Sequence, residues 1–199
     1  LEFADNASLV FGAGSDLTIT HDATDSTITS ATNDLKITSN GDDLILEAED
    51  DVIIRDNGGS NILAQFINGG ANELYHNATK KFETASGGIS LTGGAAANIT
   101  ALSDGATITI DMATACHHSV TLGGNRTFAA PSNQVVGQSG SIFITQDGTG
   151  SRTASFNSAF KFVGGTAPTL TTTAAAVDRI DYIILSSNVI HCAVSLDVK

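Results

Sequence analysis

The sequence predicts an all-β protein, a repetitive β-shaft over residues 1–94 followed by a β-sandwich-like domain over 95–199. Three observations carry this. Thr, Ser, Gly, Asn and Asp dominate a chain with only 15% charged residues, and such side chains either compete with helical hydrogen bonds or lose χ1 freedom in a helix. No charged stripe of period 3.6 marks the solvent face of a helix. Short runs of alternating apolar and polar residues, separated by turn formers, recur along the whole chain.

The first run of strands is a repeat. Residues 16–20 (DLTIT), 26–30 (STITS), 34–38 (DLKIT), 43–47 (DLILE) and 51–55 (DVIIR) share one form, at steps of 10, 8, 9 and 8 residues. Apolar residues stand at i and i+2 (Leu17 and Ile19, Leu35 and Ile37, Leu44 and Leu46, Val52 and Ile54, with Ile28 alone in the second). Alternation puts each pair on one face and the Thr, Lys and Glu between them on the other. Two inward residues per step of about nine bury too little area to offset about 1–2 kcal/mol of backbone ordering per residue. Stacking the strands as a β-solenoid, with the core shared between chains about a common axis, is the expected remedy. Five-residue strands suit a three-chain prism. Two or three further strands are expected in 61–94, and Gly93-Gly94 followed by Ala95, Ala96 and Ala97 marks a boundary.

Beyond the boundary the strands lengthen: 106–112, 118–122, 140–146, 152–156, 160–163, 177–185 and 189–196 all alternate, with glycine-rich turns between them. Seven such strands point to a compact sandwich. Five of the nine Phe residues (128, 143, 156, 160 and 162) fall here, so this part can build a core of its own and the shaft cannot.

The formal net charge of -12, with Lys and Arg scattered singly, argues against nucleic acid as a partner. No apolar run reaches the roughly 18–20 residues of a membrane span, and no signal peptide opens the chain. The chain starts at Leu1 rather than Met, which suggests that an attachment region precedes it. Cys116 and Cys192 lack the spacing of a zinc or redox motif and read as reduced thiols. N-x-[ST] sequons at Asn6, Asn77, Asn98 and Asn125 are what chance provides in so Thr- and Asn-rich a chain.

Three segments, 17–22, 34–52 and 73–84, resemble the shaft repeats of tail-fibre proteins of tailed phages, notably marine phages that infect cyanobacteria. Residues 136–153 and 176–182 are similar to the C-terminal module of such fibres. The resemblance implies a homotrimer, a tip near residue 199, upstream fibre and tail proteins as partners, a place in the virion after assembly in the host cytoplasm, and attachment to a host surface glycan or outer-membrane protein. It implies neither a cofactor nor particular binding residues.

The residues themselves carry no catalytic signature, and no enzyme activity is expected. Asp178 and Asp181, three apart on a strand, point to opposite faces and do not form the carboxylate pair of a glycoside hydrolase. A polysaccharide-degrading, tailspike-like reading is the alternative function. A calcium-binding β-roll is a third, resting on one partial turn motif, Gly12-Ala-Gly-Ser-Asp16. His117 and His118 face opposite ways and bind no common metal within one chain. The acidic run Glu47–Asp51 reads as a solvated corner. Receptor contact is expected from polar loops: Asn125 and Arg126 in the turn at Gly123-Gly124, and Asp147 and Arg152 about the turn between them, although solvation alone accounts for such residues.

Overall fold

The computed structural model describes residues 4–199, so Phe3 of the aromatic tally lies outside the described residues. Seventeen strands and one 3-10 turn, Val163–Gly165, account for the regular structure, and no α-helix occurs among the described residues. The chain divides into two compact units, the first ending at Thr92 and the second running Gly93–Lys199.

In the first unit, β1 (Ser8–Phe11), β2 (Leu17–His21) and β3 (Ser26–Ser30) form an antiparallel sheet in chain order. Its register sets Leu9 beside Ile19 and Ile19 beside Ile28, which is the apolar row that the alternation predicts. Five more strands form a second antiparallel meander: β4 (Val52–Arg55), β5 (Ile62–Phe66), β6 (Asn72–His76), β7 (Thr79–Ala85) and β8 (Gly88–Leu91). Residues 61–94 thus hold four strands rather than two or three. The expected solenoid-like stacking of 1–94 is not shown within the single chain, where the short corners between paired strands close antiparallel hairpins. Asn77 and Ala78, at φ 48° and 57°, make the two-residue reversal between β6 and β7, and parallel neighbours need a crossover far longer than that.

The repeats at 34–38 and 43–47 also differ from expectation. They take no strand pairing in this chain, and no backbone–backbone hydrogen bond involves residues 34–51 among the described residues. A strand is defined by its partner, and the repeat pairs with none among the described residues. Its apolar side chains are consequently bare: Leu44 is 53% exposed, Ile45 69% and Leu46 67%. Among the described residues of this unit only one apolar side chain is buried, that of Ala64 at 9% exposure.

The second unit is built differently. Its nine strands are β9 (Ile99–Ala101), β10 (Thr107–Ile108), β11 (His117–Leu122), β12 (Arg126–Phe128), β13 (Ser139–Gln146), β14 (Ala154–Phe156), β15 (Phe160–Phe162), β16 (Val177–Ser186) and β17 (Val189–Ser195). They form a six-stranded sheet, ordered β15-β17-β16-β13-β11-β9, and a three-stranded sheet, β10-β12-β14. From β9 to β14 successive strands alternate between the two sheets and lie parallel on the strand two before. The antiparallel pairs are those of β16 with β13 and with β17, while β15 lies parallel on β17. The layers are those of a sandwich, but the antiparallel connections expected of one are confined to its last third. The corners here are long enough to carry the chain from sheet to sheet.

This coiling aligns like residues into ladders. Ile108, Phe128 and Phe156 occupy one inward row, and the Phe128 and Phe156 rings stack with centroids 4.9 Å apart and planes 12° apart. Phe160 and Phe162 close on Phe156 edge-first, at 5.6 and 5.1 Å. Inward residues of the large sheet (Val120, Leu122, Ile142, Ile144, Ile180 and Ile184) complete one continuous core. The expected strand at 106–112 shortens to two residues, yet Ile110 and Met112 stay buried. Two strands, β9 and β12, fall outside the runs expected as strands, β12 starting at Arg126 in the expected turn.

Candidate functional site

The four loop residues singled out from the sequence come together at one end of the coil. Three corners stack there, at 102–106, 123–125 and 147–153, each joining a strand of the large sheet to one of the small sheet. Arg126 donates from Nε and from an Nη to the two oxygens of Asp104, both at 2.6 Å, and the Gly123 amide donates to Asp104 Oδ2 at 3.1 Å. One corner further on, Arg152 donates from Nε and an Nη to Asp147 Oδ2 at 3.0 and 2.7 Å, while the Thr149 and Gly150 amides donate to Asp147 Oδ1. Asn125 joins the two corners, its Oδ1 accepting from the Thr153 amide at 3.0 Å, and the Arg126 amide donates to the Thr153 carbonyl at 2.9 Å.

The two-oxygen fork of Arg126 on Asp104 is strong and directional, while Arg152 sets both its donors on one oxygen of Asp147 and leaves the other to the turn amides. The Arg152 guanidinium, helped by the Gly150 and Thr149 amides, holds the Asp147 carboxyl down to about 2. The Arg126 guanidinium likewise keeps Asp104 below the usual carboxylate range, with the Asp147 charge opposing it slightly. Both arginines therefore spend their best donors within the chain. Asn125, Arg126, Asp147 and Arg152 form a brace across stacked corners, with the outer edges of the side chains open to solvent. Asp104 is the residue that the sequence reading missed; it lies 22 positions from Arg126, and only the parallel register of β9 to β12 brings them together.

The remaining candidates sit apart. His117 and His118 face opposite sides of β11, and the His118 ring is fully buried with neither nitrogen hydrogen-bonded. Asp178 is buried and accepts from the Thr171 and Asp197 amides, tying a loop and the C-terminal segment to β16, whereas Asp181 lies on the outer face. Cys116 and Cys192 are both free, and burial pushes the Cys192 thiol up to about 11. In the acidic run, Asp51 accepts from the Asn68 amide and the Glu49 carbonyl from its side chain, a corner fastening. No group of three or more His, Cys, Asp or Glu side chains suited to a metal ion occurs among the described residues. Among the described residues no helix is long and apolar enough to cross a membrane.

No family model matches this chain. A search of curated proteins and a search of solved structures likewise gave no significant match.

Proposed function

We propose that the chain is a structural, non-catalytic adhesin, a distal segment of a phage tail fibre that trimerises through its first unit and presents its second unit to the host cell surface. The observation that carries this reading is the coreless first unit. A row of extended repeats lies without strand partners, its leucines and isoleucines exposed, beside two sheets that between them bury one alanine. Exposed apolar area of this extent belongs to an interface. The repeats at 34–38 and 43–47 match the one at 16–20, which pairs as β2, so the natural partner for an unpaired copy is another copy. Three chains about one axis supply it, and the stacked shaft inferred from the nine-residue step then arises between chains rather than within one. A braced, well-packed second unit suits the exposed end of such a fibre, which takes load while it meets a surface.

Solution mass tests the assembly. Sedimentation equilibrium of the protein is expected to give three times the 20.3 kDa chain mass. At 0.15 M salt, a particle of single-chain mass whose first unit is folded overturns it. Attachment is tested by binding of labelled protein to host cells, with the medium assayed for released oligosaccharide; binding without release is expected, and release identifies a depolymerase instead.

A further inference from the structure

We propose that a cleft at the β15 edge of the large sheet binds an anionic saccharide, a sugar carrying a carboxylate, sulfate or phosphate; this deepens the adhesin reading and rests on it. The cleft is shallow and open to solvent, with a volume of about 470 Å³. The strand register builds it. On the outer face, Lys161 of β15 pairs with His191 of β17, His191 pairs with Ile183 of β16, and in the next row Ala193 pairs with Asp181. Ala193 is the smallest side chain in that patch, so the floor is low between taller neighbours. The 3-10 turn after β15 then sets Val163 at the rim, 88% exposed.

Charge decides the ligand class. The second unit carries five Lys and Arg residues, and four of them are paired: Arg126 with Asp104, Arg152 with Asp147, Arg179 with Asp181 and Lys199 with Asp197. Lys161 is the one without a carboxylate within 4.0 Å among the described residues. Its Nζ donates to the Ser158 carbonyl at 2.5 Å, which steadies the ammonium and leaves two N–H donors. Asp181, the one acid lining the cleft, has its Oδ1 taken by the Ser141 hydroxyl and its Oδ2 by Arg179. The free charge in the cleft is thus positive. Nor does the unit as a whole repel an anion, because its five basic and six acidic residues leave a formal charge of -1. Val163 and Ile183 offer an apolar wall for the C–H face of a sugar ring, and the exposed His191 ring supplies a further polar group for its hydroxyls.

Calorimetric titration of the assembled protein with a uronic-acid oligosaccharide, a sulfated one, a phosphorylated one and a neutral one of equal length tests this. At least one anionic ligand is expected to bind, more weakly as salt is raised, and the neutral one not. Lys161→Gln is expected to weaken binding about ten- to a hundred-fold, the loss of one charge-assisted hydrogen bond, with Lys161→Arg retaining most of it. Ala193→Trp, which fills the floor, is expected to abolish binding with mass and melting unchanged. Equal affinity in Lys161→Gln, or no anionic ligand bound at all, overturns the proposal. A changed mass in Ala193→Trp also overturns it, since the face is then an interface between copies. Host-cell binding separates the two readings: full binding by Ala193→Trp sinks the cleft and spares the adhesin, whereas no binding by the unaltered protein sinks the adhesin.

Discussion

His118 is a buried side chain in the second unit whose two ring nitrogens both lack a partner. The Ala115 backbone approaches the ring without hydrogen-bond geometry. Burial holds its pKa below 6.5, the neighbouring His117 pushes the same way, and Ala115 and Asp111 oppose. The sign of the consequence follows. Above about 6.5 folded and unfolded chains both carry a neutral ring, whereas below it the unfolded chain takes a proton that the folded one refuses, so stability falls with pH from there down to the folded pKa. His118→Leu is expected to remove that acid sensitivity and to raise stability at pH 7 by about 1–3 kcal/mol, the cost of unpaired buried polar atoms; urea melts at pH 5 and 7 check both. Gly140 is the opposite case, irreplaceable for steric reasons. A Cβ there would stand 1.6 Å from the Cys116 carbonyl oxygen, which cannot retreat because the Tyr182 hydroxyl and the Ser141 amide both donate to it. Gly140→Ala is expected to destabilise the protein by about 3 kcal/mol or more, with a lowered melting temperature as the readout.

At the scale of elements, the β6–β7 hairpin holds an improvable turn. Both of its central residues, Asn77 and Ala78, have positive φ, a conformation that Asn tolerates and Ala does not. Ala78→Gly is expected to gain about 1 kcal/mol, read as a shift in the urea midpoint. The same hairpin shows what was legible in the sequence. Alternation placed β2, β4, β13, β16 and β17 almost to the residue, because a buried face with period 2 leaves a visible pattern. Pairing direction left no such mark. Whether a strand joins its neighbour or the strand two before depends on corner geometry, and the 126–128 segment reads as turn because Gly123, Gly124 and Asn125 precede it. The site was legible only in part. Arg126 and Asp147 stand out as charges in glycine-rich turns, but Asp104 becomes their neighbour through stacking. The cleft has no sequence signal at all, since Lys161, His191 and Ala193 are ordinary strand residues until register aligns them.

Across the whole molecule the charge is divided as unequally as the core. Residues 1–92 carry 15 of the 21 acidic residues and four of the nine Lys and Arg, a formal charge of -11, and among the described residues the same unit buries one apolar side chain. Bringing copies of this unit together gains apolar contact and stacks like charge. Surface charges of this kind are screened over about 10 Å at 0.1 M salt and about 30 Å at 0.01 M, so assembly is expected to be strongly salt-dependent while the fold of the second unit is not. In sedimentation at fixed micromolar concentration, moving from 0.01 to 0.15 M salt is expected to shift the population from single chains to trimers. In parallel, thermal unfolding is expected to show two transitions. One, from the first unit, rises with salt and protein concentration; the other, from the second unit with its own continuous core, is indifferent to both. A single transition independent of concentration at every salt means that the first unit stands without copies of itself, and the assembly argument fails at its root.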